Sequence, residues 1–382
     1  MRILFTFIGG LGHFYPLVPI ARAAAAAGHE VAVAGASGLT AQVEAAGFRA
    51  FPTSAPRPAV TTPPPRQLTP LAPVDMRATE VEFAANFADK GARRHAVAIQ
   101  EHIRDWRPDV LVRDEADFGA AIAAEVLGIR AATVLVLAAG MLVRPELVSR
   151  PLAALRAEHG LPPDPGLTML TRDLVLGPFA PSFRSPTSPV PLPDTTFWFR
   201  PNDRVQASAS SPRRRVYVTL GTVFSLESGD LLDRLLAGLA RIDADVLVTT
   251  GRDVDPSWFG VQPDHIRVER FVPQDEVLRA TDLVVSHGGS GSLMATLAHG
   301  LPSVLLPLGA DQPHNALRAE QLGLARTLDA ATVSPEAIRE CVHEALDDRS
   351  IAERARRMTA ELDALPGVEA TVPLLERLAS MC

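Results

Sequence analysis

The chain has 382 residues, a net charge of −7, 47% hydrophobic and 21% charged residues, a globular composition long enough for two domains. The acidic balance excludes a nucleic-acid surface, which needs a basic patch, and the one dense basic run, Arg213 to Arg215, reads as a solvated edge beside a Pro/Ser-rich stretch. Cys341 and Cys382 form neither a disulfide framework nor a metal-ligand spacing.

A reducing cytoplasm is therefore the expected setting. The apolar run Ile3 to Ile8 is too short for a signal-peptide core. Ala116 to Val143 is interrupted by Asp117, Glu125, Gly128 and Arg130, so it reads as helix, turn and buried strand, with no membrane association expected.

In chain order, Arg2 to Ile8 reads as a strand, Tyr15 to Ala27 as a helix and Glu30 to Ala34 as a strand. Val110 to Arg113, Gly119 to Leu127 and Ala131 to Leu137 repeat the rhythm as strand, helix and strand. From Arg215 it restarts: strands at Val216 to Leu220, Val246 to Thr250, Ile266 to Glu269, Leu283 to Ser286 and Ser303 to Leu306, with helices at Leu231 to Ala240 and Ser292 to His299. Strands apolar throughout, alternating with helices, indicate parallel sheets covered on both faces. The α/β fold class is two doubly wound Rossmann-like domains, with a ligand cleft expected where strand carboxyl ends face each other.

Pro178 to Arg215 is the best linker candidate, and Pro52 to Pro73 reads as a mobile functional loop. The expected division is 1–200 for a first domain, 201–212 for a linker and 213–365 for a second domain. Residues 366–382 are expected as a helix packing back on the first domain.

Gly9-Gly10-Leu11-Gly12-His13 follows a strand and precedes a helix, but its spacing fails the dinucleotide fingerprint. His13 faces the expected cleft, where an imidazole can accept a proton; a histidine that only packs the turn fits the same position. Asp114, after the Val110 to Arg113 strand, suits a carboxylate orienting His13, and equally a helix N-cap; Glu115 and Asp117 are its rivals.

Ser286-His287-Gly288-Gly289-Ser290-Gly291-Ser292 carries a stronger signal, because glycines, small hydroxyls and a helix start together make an anion site. A tight strand–helix turn is the plainer reading. Gly221-Thr222 can add an amide and a hydroxyl to the same phosphates. Asp311-Gln312, after another buried strand, offers acceptors and donors suited to vicinal sugar hydroxyls, and alone is only a polar loop. Asp253-Val254-Asp255 and Asp243-Ala244-Asp245 match a D-x-D metal motif but lack context for further ligands, so both read as surface carboxylates and no metal is expected.

With these residues assembled, the chain resembles the GT-B superfamily of bacterial natural-product glycosyltransferases. It is similar to actinomycete enzymes that decorate macrolide, aromatic polyketide and enediyne aglycones, and more distantly to plant secondary-metabolite glucosyltransferases. The likeness is clearest at MRILFTFIGGLGHFYPLVPIARAAAAAGHEV, at VYVTLGT, and from RFVPQDEVL through SHGGSGSLMATLAHGLPSVLLPLGADQPHNA. Residues of about 50 to 100 and 140 to 210 match poorly.

The resemblance implies that His13 is the base deprotonating an acceptor hydroxyl and Asp114 its supporting carboxylate. It implies that Phe271 and Val272 hold the nucleobase, and that Thr222, His287, Gly289, Ser290, Gly291 and Ser292 cradle the diphosphate. Asp311 and Gln312 match the pair that binds the donor sugar. Relatives using UDP-sugars carry a ribose-binding glutamate where this chain has Ala295. A 2′-deoxyribose would not miss that partner, which favours a dTDP-sugar.

The implied activity is inverting, metal-independent transfer of a (deoxy)sugar to a hydrophobic aglycone, with no cofactor, by a cytoplasmic monomer or homodimer. The apolar segments Phe83 to Phe87 and Val134 to Val143 suit such an acceptor and suit plain core equally. A UDP-sugar enzyme of the same fold, a sugar-nucleotide epimerase, a lipid-linked cell-wall glycosyltransferase and a non-catalytic auxiliary subunit are the alternatives. A nicotinamide dehydrogenase is disfavoured by the missing fingerprint.

Overall fold

The computed structural model describes residues 1–55, 68–202, 213–221, 228–251 and 254–381. They divide into two units, Met1–Ala59 with Arg77–Asp203 and Ala364–Cys382, and Val60–Met76 with Arg204–Asp363.

In the first unit the apolar runs form β1 (Arg2–Thr6), β2 (Glu30–Gly35), β3 (Arg49–Pro52), β4 (Val110–Asp114), β5 (Ala131–Val134), β6 (Leu174–Gly177) and β7 (Phe197–Trp198). All pairs are parallel, in the order β3-β2-β1-β4-β5-β6-β7. Every residue of β4 is buried, as expected for a strand covered on both faces. The covering helices are α1 (Leu11–Phe14), α2 (Val18–Ala26), α3 (Thr40–Ala45), α4 (Met76–Phe83), α5 (Ala92–Trp106), α6 (Phe118–Leu127) and α7 (Pro145–Glu158). A π-helical segment, Ala84–Gly91, joins α4 to α5.

The second unit pairs β8 (Arg215–Thr219), β9 (Asp245–Thr249), β10 (Ile266–Glu269), β11 (Leu283–Ser286), β12 (Ser303–Leu305) and β13 (Ala325–Thr327) in parallel, in the order β10-β9-β8-β11-β12-β13. Its helices are α8 (Leu231–Leu239), α9 (Gln274–Leu278), α10 (Ser290–Ala298), α11 (Gln312–Gln321), α12 (Pro335–Asp347) and α13 (Arg349–Asp363). Val216, Val218, Val246, Val248, Leu283 and Val285 meet Leu232, Leu235 and Leu236 of α8 and Ile338 and Val342 of α12 in one core. The last helix, α14 (Val372–Ala379), buries Leu375 and Leu378 in the core of the first unit with Ile3, Phe5 and Phe199. Each such leucine contributes about 1.5–3 kcal/mol.

Local differences from the sequence reading have identifiable causes. The first helix starts at Leu11 rather than Tyr15, and a 3-10 turn, Tyr15–Leu17, precedes α2. Pro16 and Pro19 cannot donate backbone hydrogen bonds, which favours the tighter turn there. The helix expected from Ser292 begins at Ser290.

Pro178 to Arg215 is not a free linker in its first part. Phe179, Phe183 and Phe199 are buried and β7 pairs with β6, so three aromatic anchors outweigh the Pro/Ser composition. Residues 203–212 lie outside the described residues, as do 56–67 of the expected mobile loop. The end of that loop packs on the second unit: Leu71 joins its core, and the Thr69 carbonyl abuts Gly229. Among the described residues no helix is long and apolar enough to cross a membrane.

Candidate functional site

In each unit the strand order reverses once, between β1 and β4 and between β8 and β11. At such a point the neighbouring connections leave for opposite faces, and a crevice opens at the strands' carboxyl ends. In the first unit that point lies between His13 and Asp114.

His13 sits in the single turn of α1, its amide donating to the Gly10 carbonyl at 3.0 Å. Its Nδ1 lies 3.5 Å from Asp114 Oδ2, within ion-pair reach, and its side chain is 17% exposed. Asp114 is fully buried; Oδ2 also accepts from the Ile8 amide at 2.8 Å, and Oδ1 from the Ala116 amide at 2.6 Å. The carboxylate is thus locked by the backbone at the ends of two strands. An Nδ1–H facing it leaves Nε2 as the basic nitrogen.

The rival carboxylates point elsewhere. Asp117 caps α6 by accepting from the Ala120 amide at 3.0 Å, and its other oxygen lies 3.1 Å from His95 Nδ1. Thr53 Oγ1 is 3.1 Å from His95 Nε2, completing a buried polar network. Glu115 accepts from the Leu137 amide at 3.0 Å and lies 3.4 Å from Arg184. Burial pushes its carboxyl up, against the pull of Arg184. Only Asp114 is brought to His13.

One face of the His13 ring stacks on Phe87, with centroids 5.4 Å apart and planes at 28°. Of the two apolar segments weighed for an acceptor, Val134 to Val143 is mostly plain core: Val134, Val136, Leu137, Leu142 and Val143 are all buried. Phe83 is buried too, whereas Phe87 is half-buried beside His13.

The reversal in the second unit brings the end of β8 beside the glycine loop after β11. His287 is buried there and hydrogen-bonds the Thr219 backbone; a Cβ on Gly221, whose φ is +76°, would lie 2.7 Å from the ring. Glycine is required at 221 both by that φ and by the imidazole. Burial holds the His287 pKa down to about 4 despite the Asp311 charge, so the ring is neutral near pH 7.

Gly289 is the N-cap of α10 and supplies no side-chain cap, so Ser290, Gly291 and Ser292 form a first turn whose amides lack intrahelical acceptors. With the helix dipole behind them, these amides suit an anion.

Asp311 and Gln312 open α11. Asp311 Oδ2 accepts from Ser290 Oγ at 2.5 Å and from Asn315 Nδ2 at 2.8 Å. The same Asn315 amide reaches the Gly288 carbonyl at 3.0 Å and Ser290 Oγ at 3.1 Å, so one buried side chain clamps the glycine loop to the Asp311 turn. Gln312 is buried, and its Oε1 accepts from the Leu308 amide at 2.8 Å, which leaves Nε2 as the atom for an outside partner.

Gln274 Nε2 donates to Ser292 Oγ at 3.0 Å, tying α9 to α10. Phe271 is half exposed just before α9, with Val272 half-buried beside it. Ala295 packs against the buried cluster of Tyr217, Leu278 and Val284.

Thr222 and Asp253 lie outside the described residues. Asp243 and Asp245 pair with Arg213 at 3.3 and 2.9 Å, and Asp255 caps a 3-10 turn and pairs with Arg270. Among the described residues no three His, Cys, Asp or Glu side chains converge as metal ligands. Asn315 and Gln274 escaped the sequence reading, which held Phe87 only as the end of an apolar segment suited to an acceptor. Asn315 had a usable signal, since it stands one helical turn beyond Asp311.

A family model described as the C-terminal domain of erythromycin biosynthesis protein CIII-like proteins matches residues 233–378. The chain is 28% identical to the 10-deoxymethynolide desosaminyltransferase of Streptomyces venezuelae, an alignment covering 100% of this chain and 97% of that protein. It is 26% identical to the crystal structure of the glycosyltransferase SnogD from Streptomyces nogalater, with a TM-score of 0.77, covering 99% of this chain and 100% of that one. A spinosyn rhamnosyltransferase solved with thymidine diphosphate shares the fold at a TM-score of 0.79 and 21% identity, covering 98% of this chain and 100% of that one.

Proposed function

We propose, on the premise that the chain belongs to the GT-B natural-product glycosyltransferases, that it moves a sugar from a dTDP-sugar to a hydroxyl of a hydrophobic aglycone with inversion. The observation that carries this reading is the pairing of His13 with the buried Asp114 at the crevice of the first sheet. The uncapped start of α10 at the crevice of the second sheet supports it.

In this reading His13 Nε2 takes the acceptor proton as the acceptor oxygen attacks the anomeric carbon. The bond from that carbon to the β-phosphate oxygen breaks from the opposite face, so configuration inverts. Asp114 stabilises the imidazolium that forms. The departing diphosphate meets the amides of Ser290, Gly291 and Ser292 and the positive end of α10, which does the work of a cation, so no metal is required.

Phe271 stacks on the nucleobase, and the Val272 backbone binds its edge. Asp311 accepts from a sugar hydroxyl while Gln312 Nε2 donates to one. The neutral His287 shapes the loop without adding charge. Ala295 offers no ribose partner, which favours thymidine over uridine. A cytoplasmic monomer or homodimer fits this role.

His13→Ala is expected to abolish transfer from dTDP-glucose to any aglycone accepted by the wild type, while dTDP binding is unchanged. Turnover near wild-type would refute the base. A thermal-shift panel of dTDP, UDP and GDP tests the donor: dTDP is expected to stabilise most, and preferential stabilisation by UDP would overturn the deoxynucleotide reading.

A further inference from the structure

The Asp114 contact at Nδ1, 3.5 Å long, fixes one edge of the His13 imidazole. The helical turn carrying His13 follows Gly9-Gly10 and runs on into the 3-10 turn and α2. A proton acceptor needs its lone pair aimed, and sub-ångström to ångström misplacement costs up to about 10²-fold in rate.

A restraint on the plane of the ring comes from the π-helical segment. Phe87 covers one face of the His13 ring at 5.4 Å. Behind it Phe83 stacks at 4.6 Å, and Phe83 meets the edge of the buried Phe118 at 6.2 Å. Phe118 opens α6, immediately after the turn that starts at Asp114. The contacts therefore close a ring: Asp114 to His13 to Phe87 to Phe83 to Phe118 and back along the chain.

The π segment is held against the same strand end. A Cβ on Gly91 would lie 2.5 Å from the Ile8 side chain and 2.6 Å from the Asn86 carbonyl, so glycine is what permits this close approach. Ile8 is the residue whose amide holds Asp114. π-helical turns are frequent at functional sites.

We propose that Phe87, presented by the π-helical segment Ala84–Gly91, is a positioning residue that fixes the plane of the His13 imidazole. This rests on the reading of His13 as the base. Phe87 touches no reacting atom in this role. It confines the ring to the orientation in which Nδ1 faces Asp114 and Nε2 faces the acceptor.

The test uses the full chain and two variants, Phe87→Leu, which keeps apolar volume but removes the ring face, and Phe87→Tyr, which keeps the face. Histidine ¹⁵N spectra require no substrate: wild-type and Phe87→Tyr are expected to show one His13 tautomer, and Phe87→Leu an averaged signal. The His287 signals serve as an internal control and stay unchanged. With dTDP-glucose and an aglycone that yields product in a panel screen, Phe87→Leu is expected to lower kcat about tenfold with donor KM unchanged, and Phe87→Tyr to restore it.

Wild-type kcat together with a wild-type His13 spectrum in Phe87→Leu would overturn the proposal. So would a parallel loss of Tm, dTDP binding and kcat, the mark of a merely structural residue. His13→Gln separates the two readings. If it retains turnover, the base assignment is wrong; if it is inactive while Phe87→Leu behaves as wild type, only the positioning role is wrong.

Discussion

Asp114→Asn changes almost no volume, yet it strikes two functions of one buried carboxylate. Both oxygens accept a backbone amide, from Ile8 at 2.8 Å and from Ala116 at 2.6 Å. Whichever way the new amide turns, its NH2 faces one of those donors. Leaving one buried N–H without an acceptor costs about 1–3 kcal/mol. For a folding unit the size of the first one, that lowers Tm by roughly 2–4 °C per kcal/mol, a fall of several degrees.

The second effect falls on the chemistry. Two unit charges 3.5 Å apart attract by about 5 kcal/mol at an effective dielectric near 20. The partly exposed imidazole keeps less than that, and a general base contributes about 10²–10⁴ in rate, so kcat is expected to fall about 10²–10³-fold. Donor KM and dTDP affinity stay level, because the glycine loop is untouched. The assay is steady-state transfer from dTDP-glucose beside a thermal melt and a dTDP titration. A variant that loses several degrees but keeps kcat within about threefold would show that Asp114 braces the strand ends and does not assist His13.

Asn315→Ala removes the clamp between the Gly288 carbonyl, Ser290 and Asp311. It is expected to weaken dTDP-sugar binding by about tenfold, with the loss carried by KM more than by kcat; calorimetry giving wild-type affinity would refute the clamp. His287 sets an acid limit on stability. Its native pKa of about 4 lies below the unfolded value of about 6.5, so the unfolded chain takes up the proton first. Stability is therefore lost as pH falls from about 6.5 towards 4, by about 3 kcal/mol in all. Melts across that window are expected to flatten in His287→Asn, and an equally steep fall in the variant would place the acid sensitivity elsewhere.

The order of strands and helices was legible in the sequence, because strands buried on both faces leave short, wholly apolar runs. Val110 to Arg113 and Leu283 to Ser286 are read correctly to within a residue for that reason. The glycine loop was legible too, since a turn into a helix start needs small residues locally. His13 and Asp114 could be nominated from their places after strands, but the choice among Asp114, Glu115 and Asp117 could not be made.

Three carboxylates within one turn look alike in one dimension. They differ only in where the turn aims them: at His13, at Arg184 and at His95. Asn315 was likewise invisible as a site residue, and Phe87 was legible only as the end of an apolar segment, because each acts on a group brought beside it by sheet pairing or helix packing. The Pro/Ser-rich stretch read as a linker because composition does not report that Phe179, Phe183 and Phe199 find a core to enter. Residue types and periodicity are local properties, so the sequence by itself determined the two repeated α/β halves and the small-residue loops. The strand order that reverses beside His13 and beside His287 is a long-range pairing, and only the tertiary structure decided which side chains meet there.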